Sequence, residues 1–171
     1  GYSLMVGLAI RDSLNELYGI NSKVKWPNDI FFGNRKFCGI LIETKFENNL
    51  LKIIVGIGIN VFMHSNDQID QDWTSLKLID GEKSFDRNLI IGKLTSKILD
   101  YSRTYEKYGF SHFQKPFNQN NYLKNKILTS ENFKGKDCKV KEVDEEGRLK
   151  VENDTDEKLI SSGELSFKIK E

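Results

Sequence analysis

The stretch from Lys25 to Glu43 constrains this chain more than any other, because it contains two chain reversals within nineteen residues. Pro27 has no amide hydrogen and restricts Trp26 to extended backbone, so Val24-Lys25-Trp26 reads as a strand that must break at Asn28-Asp29. Ile30-Phe31-Phe32 then reads as a short strand and Gly33-Asn34 as a tight turn whose residues tolerate positive φ. Lys36 to Glu43 is the returning strand. Lys25, Asn28, Asp29, Arg35 and Lys36 all fall at strand ends and turns of this hairpin. Two lysines that can meet phosphate or carboxylate oxygens, beside an aspartate that can hold a metal or steer an amine, suit chemistry on an anionic acyl phosphate. The plainer alternative is a charged rim on a solvated hairpin.

A second feature follows the hairpin. From Leu51 to Phe62 the residues Ile53, Val55, Ile57, Ile59 and Val61 share one face of a predicted strand, while Ile54, Gly56, Gly58 and Asn60 share the other. Two glycines on one side leave that face nearly bare, either for a ligand or for a closely packed helix.

The run Lys25-Trp26-Pro27-Asn28-Asp29, followed by Lys36 and by Gly39-Ile40-Leu41-Ile42-Glu43, resembles the signature of the biotin protein ligases. Val55-Gly56-Ile57-Gly58-Ile59-Asn60-Val61 stands at the spacing that family shows. The resemblance is strongest from Lys23 to Val61 and thins after Thr74. It implies a two-step reaction: biotin and ATP form biotinyl-5'-AMP, and biotin then passes to a lysine of the biotin carboxyl carrier domain of acetyl-CoA carboxylase. It implies catalytic roles for Lys36, Asp29 and Lys25, and a biotin pocket at Lys36, Gly39, Gly56 and Gly58. Adenylate contacts are implied at Asn60, Met63, Trp73 and Asn28, and Asp29 is the candidate ligand for Mg²⁺. Trp73 is expected to pack on the base, with a core anchor as the alternative. The family also carries a Gly/Arg-rich adenylate loop upstream of its first covering helix, which these residues do not contain. The chain, opening Gly-Tyr-Ser, therefore reads as the later part of a ligase, with a catalytically incomplete fragment as the alternative to an active enzyme.

At 171 residues there is room for one ordinary domain and a small second one. Twenty-six basic against twenty-five acidic side chains, interspersed, give no support for a nucleic-acid or membrane-surface partner. Cys38 and Cys138 are too few for a disulfide framework or zinc site and are expected reduced and packed. Without a membrane-length apolar run or secretory leader, a cytoplasmic location is expected.

The remaining elements complete the expectation. Val6, Ile10, Leu14 and Leu17 recur at helical spacing from Ser3 to Tyr18, ending at Gly19, and Gly7 is a candidate for close approach of a strand. Lys45 to Asn49 reads as a turn, and Met63 to Ile79 as a polar loop with a helical turn near Gln68 to Gln71. His64 has no visible partner and is not a catalytic base. Asp86 is expected to cap a helix to Tyr108 whose stripe includes Tyr101 and Tyr105, and Phe110 to Leu123 is read as a Pro116-interrupted connection. From about Asn125, short strands at Cys138–Val140, Leu149–Val151, Leu159–Ile160 and Leu165–Ile169 mark a small β unit. The expected fold is α+β, a mixed sheet covered by helices over residues 1–122, with residues 123–171 as a β domain. The resemblance makes that domain an SH3-like barrel, with Ser162-Gly163-Glu164-Leu165 as its closing strand.

Pairing of two copies through sheet edges is a further implied partner, and a DNA-binding regulator finds no support in the charge balance. A lipoate ligase or octanoyl transferase shares the implied architecture but lacks the Lys-Trp-Pro-Asn-Asp run. A non-catalytic module that binds adenylate or carrier remains the alternative to an enzyme.

Overall fold

The structure is a computed structural model that describes residues 1–65, 71–129, 137–161 and 167–170. It is α+β, with two antiparallel sheets and a helical layer. The first helix, α1 (Tyr2–Tyr18), ends at Gly19 in the left-handed conformation, φ 68°, whose amide donates to the Asn15 carbonyl. Behind it stands the first sheet, in the order β1 (Lys23–Lys25), β2 (Asp29–Phe32), β3 (Arg35–Glu47) and β4 (Leu50–Ile59). Among the described residues every strand pairing in it is antiparallel, and parallel contact is confined to isolated bridges at Val24–Asn121 and Lys36–Trp73, so those residues do not form the expected mixed sheet. Chain reversals of two or three residues join these strands, and a parallel neighbour would need a longer crossover.

The hairpin of β3 and β4 is longer than the alternation predicted. Glu47 faces Leu50 across Asn48 and Asn49, which adopt φ of 52° and 60°. Asparagine tolerates that region, so the polar stretch read as a loose turn closes in two residues and both strands run through it. Gly7 is where α1 and β1 touch: a Cβ there would lie 2.8 Å from Cγ1 of Val24.

After β4 come a single helical turn, α2 (Leu76–Ile79), capped by the Ser75 hydroxyl, and the long α3 (Arg87–Tyr108). The Asp86 carboxylate accepts from the amides of Asn88 and Leu89 at 2.7 and 3.2 Å, as its N-cap position predicts. Tyr101 donates to Asp12 at 2.7 Å, and the ring of Tyr105 meets that of Tyr2 edge-on at 5.2 Å, so both tyrosines clamp α3 to α1.

Residues read as a connection form a helix, α4 (Ser111–Gln119), with Pro116 inside it. Phe110, Phe113 and Phe117 recur at i, i+3 and i+7 and are buried; that apolar stripe outweighs the one backbone bond a proline removes from so short a helix.

The second sheet contains β5 (Ile127–Thr129), β6 (Asp137–Val143), β7 (Leu149–Glu152), β8 (Glu157–Ile160) and β9 (Lys168–Lys170), in the order β8-β7-β6-β5-β9. Its outer strands β8 and β9 are not paired to each other, so the described residues by themselves do not close a barrel. The expected closing strand, Ser162 to Leu165, lies outside the described residues, as do Gln68 to Asp70 of the expected helical turn. The sheet is fastened to the helical layer by Asn118, which donates to the Val143 carbonyl and accepts from the Val143 amide, both at 2.8 Å. Buried side chains of both sheets belong to one core. Both cysteines are buried and free. No helix among the described residues is long and apolar enough to cross a membrane.

Candidate active site

Cross-strand register builds the site. Lys25 stands opposite Asp29, Asp29 opposite Gly39, and Gly39 opposite Gly58, a single row running across all four strands. Directly opposed residues in antiparallel strands project from the same face, so these four share one side of the sheet. Phe31 and Lys36, another opposed pair, lie on that side too. The other side carries Cys38, Ile40 and Ile57 toward the helices and core.

The glycine face is not covered. Gly56 and Gly58 are exposed, and a Cβ at Gly58 would have only the Gly39 carbonyl oxygen within range, at 4.0 Å. Of the two readings of these glycines, close packing by a helix is therefore not what the described residues show. A hollow of about 170 Å³ opens there, lined by Lys36, Gly39, Gly58, Asn60, Gln71 and Trp73 among others. The Lys36 ammonium reaches into it: a Cβ on Gly39 would lie 3.6 Å from Lys36 Nζ. Asp29 holds that ammonium from the side at 2.7 Å, and both side chains are mostly but not wholly shielded, 18% and 26% exposed.

A strap, bridged in parallel to β3 at Lys36 and Trp73, borders the hollow. Lys36 donates its amide to the Asp72 carbonyl at 3.0 Å and its carbonyl accepts from Thr74 at 2.8 Å. The Asn60 carboxamide donates to the Thr74 carbonyl at 3.1 Å. Trp73, half-buried, is thereby held beside Lys36 and lines the hollow, rather than being sunk in the core.

Five of the sequence-predicted residues, Lys36, Gly39, Gly58, Asn60 and Trp73, thus meet in one hollow with Asp29 beside them. The others stand elsewhere. Gly56 is two positions further along the same open face, opposite Leu41. Asn28 braces β3, its carboxamide donating to the Ile40 carbonyl at 2.8 Å while its own carbonyl accepts from the Ile40 amide. Met63 is half-buried past the end of β4 and does not line the hollow. Lys25 turns toward a neighbouring depression, its Nζ 4.9 Å from the centre of the Phe31 ring. Burial lowers the pKa of Lys25, with Lys36 and Lys126 acting the same way and Asp29 opposing.

Gln71 is the polar lining residue that sequence reasoning missed, along with the β3 residues Phe37 and Cys38. It lay in the polar segment before Trp73, where nothing in residue type distinguishes it from its neighbours, and the strap's hydrogen bonds alone bring it to the site. For a metal, the fit is poor. Among the described residues no three potential ligands cluster, and one oxygen of Asp29 is already engaged by Lys36.

Comparison with known proteins bears on this geometry. A family model described as the Biotin/lipoate A/B protein ligase family matches residues 1–60. The bifunctional ligase/repressor BirA of Salmonella typhimurium is 29% identical over 172 aligned positions, covering 98% of this chain and 53% of that protein. The Bacillus subtilis protein of the same name is 34% identical over 113 positions, 64% of this chain and 34% of its own. The chain spans about half the length of the curated relatives it matches. Among solved structures, the biotin protein ligase from Aquifex aeolicus in complex with biotin and ATP superposes with a TM-score of 0.86 at 27% identity, over 99% of this chain and 71% of that one.

Proposed function

Because the chain belongs to the biotin protein ligase family, we propose that its open glycine face is where biotin and ATP are joined as biotinyl-5'-AMP and from which biotin passes to a carrier lysine. One observation carries the reading: the Lys36 ammonium, steadied by Asp29, points into an uncovered hollow floored by Gly39 and Gly58.

In the first step a carboxylate oxygen of biotin attacks the α-phosphorus of ATP, an O–P bond forms, and pyrophosphate leaves. Two anions must approach each other, and a fixed cation between them offsets the repulsion. Lys36 is placed for that role. Side chains at positions 39 and 58 would occupy the space the acyl chain needs, and Trp73, held by the strap, offers a ring face to the adenine. In the second step the carrier amine attacks the acyl carbon, AMP departs, and the amine gives up a proton. Asp29, one oxygen on Lys36, has a second with which to orient that amine. Asn28 and Asn60 act in this reading by holding β3 and the strap in place. The described residues make no metal cage, so magnesium belongs to the proposal as the ion carried by the triphosphate, and no step is routed through it.

The five-stranded C-terminal sheet, residues 123–171, is read as the SH3-like unit of the family, supported by its antiparallel order and its attachment at Val143. The acceptor is read as the carrier domain of acetyl-CoA carboxylase; a relative from Mycobacterium tuberculosis bears the name biotin--[acetyl-CoA-carboxylase] ligase. A cytoplasmic location and pairing of two copies through sheet edges belong to the same proposal.

The test is incubation with biotin and ATP, then with a carrier domain, following biotinyl-5'-AMP and the biotinylated lysine by mass spectrometry. Both products are expected. Binding of biotinyl-5'-AMP without either product would instead support the non-catalytic module.

A further inference from the structure

Three residues, Trp26, Pro27 and Asn28, form the turn between β1 and β2 that delivers Asp29 to Lys36. Each is fastened to a different element. The Trp26 indole N–H donates to the Gly147 carbonyl at 3.1 Å, and the Asn28 carboxamide donates to the Ile40 carbonyl at 2.8 Å. The carbonyl of Pro27 lies outside the strand ladders, and the Ser3 hydroxyl donates to it at 2.9 Å from the first turn of α1. Ser3 and Gly7 are four residues apart, so they share one face of that helix. Gly7 rests against Val24 of β1, where a Cβ would come within 2.8 Å of Cγ1. This close approach brings strand and turn near enough for a one-carbon side chain to reach Pro27. α1 is thus a ledge under β1 and its turn, with Gly7 setting the height of Val24 and Ser3 that of Pro27. Without the hydroxyl, the half-buried Pro27 carbonyl would turn toward water, and Asp29, two residues on, would shift with it.

We propose that Ser3 is a positioning residue for the Asp29–Lys36 pair, acting through the Pro27 carbonyl. Its hydroxyl sets where Asp29 stands, and Asp29, at 2.7 Å, sets where the Lys36 ammonium points. A charge that must be aimed at a developing anion loses rate when it is free to wander. The catalytic consequence rests on the adenylate reading; the effect on the ion pair does not. Of the three fastenings, that of Ser3 is the one that can be cut alone. Trp26 also fills core space, and Asn28 is joined to Ile40 by two bonds. Replacing serine by alanine within a helix gains helix propensity while losing one neutral hydrogen bond, so the fold is expected to stand.

The experiment compares wild type with Ser3→Ala, with Ser3→Thr, which keeps the hydroxyl, and with Ser111→Ala. The last removes an equivalent hydroxyl-to-carbonyl bond on α4, 2.8 Å to Tyr108. Pulse acylation with acetic anhydride, mapped by mass spectrometry, reads how freely the Lys36 amine reacts relative to the exposed Lys115. Asp29→Asn, which removes the partner carboxylate, sets the upper limit of labelling. Ser3→Ala is expected to raise Lys36 labelling about threefold to tenfold, the span that one neutral hydrogen bond covers, with Ser3→Thr and Ser111→Ala at the wild-type rate. In initial rates with biotin and ATP, kcat for biotinyl-5'-AMP is expected to fall by a similar factor in Ser3→Ala, with KM for biotin unchanged and kcat restored in Ser3→Thr. Wild-type labelling in Ser3→Ala, labelling raised as much by Ser3→Thr or Ser111→Ala, or a kinetic change confined to KM would overturn the proposal. Raised Lys36 labelling in Ser3→Ala, reversed in Ser3→Thr, in a protein that makes no biotinyl-5'-AMP would leave Ser3 in its role and remove the adenylate reading.

Discussion

Glycines at positions 7 and 58 predict opposite outcomes for similar substitutions. At Gly7 a methyl group would meet Val24 at 2.8 Å, inside a packed helix–strand contact, and Gly7→Ala should destabilise by about 1–3 kcal/mol in urea unfolding. At Gly58 nothing obstructs a side chain, so Gly58→Val should fold at least as well as wild type yet lose biotinyl-5'-AMP, because its branches fill the hollow. Lys36→Ala should cut adenylate formation by roughly two to three decades, the usual effect of removing one preorganised charge contact, with a small change in unfolding midpoint. Lys25 gives a pH signature. Its pKa in the folded protein lies below the ordinary 10.5, so between the two values the unfolded chain binds more protons and stability rises with pH. Below that window the half-buried charge is a standing cost, and Lys25→Met should be the more stable protein at neutral pH, with the difference narrowing as pH approaches 10.5. Urea midpoints measured from pH 7 to 10.5 check both the sign and the window.

Among the elements, β1 and its turn are held from both sides. Trp26 is buried and donates its indole N–H to the Gly147 carbonyl at 3.1 Å, tying the turn that carries Asp29 to the C-terminal sheet. Trp26→Phe keeps the ring but strands that carbonyl, and a loss of about 1–3 kcal/mol in thermal or urea unfolding is expected. The β elements around the site were readable because period-two alternation and turn residues leave few choices: Pro27, Gly33 and the row Ile53 to Ile59 each produce what their chemistry demands, although the strand stops at Ile59, short of the expected Phe62. Where two signals competed, the weaker-looking one decided. Pro116 argued for a break, but three phenylalanines at helical spacing had more surface to bury, and α4 formed around the proline. Asn48 and Asn49 looked like a loose polar turn because side-chain chemistry alone does not distinguish two residues at positive φ from five in a loop.

For the molecule as a whole, the candidate site was legible to the extent that it lies on one sheet. Lys36, Gly39 and Gly58 meet because strand register places them, and register follows from alternation. Lys25 shares their row, yet its ammonium lies over the rings of Phe31 and Phe167 and lines the neighbouring hollow instead of theirs, a placement that depends on Phe167 from a distant part of the chain. Nor could sequence place Gln71 or the strap, since both depend on hydrogen bonds to Lys36 and Asn60 from a segment well removed from them in sequence. The neighbouring hollow is less local still, assembled from β1, β2, the residues after α4 and the last strand. The most direct measurement of the whole account is titration of biotinyl-5'-AMP into wild type, Lys36→Ala and Gly58→Val, with folding of each confirmed by circular dichroism. Tight binding by wild type, and its loss in both folded variants, is the predicted result. Equal binding by all three, or none by wild type, would contradict the claim that the glycine face beside Lys36 holds the adenylate.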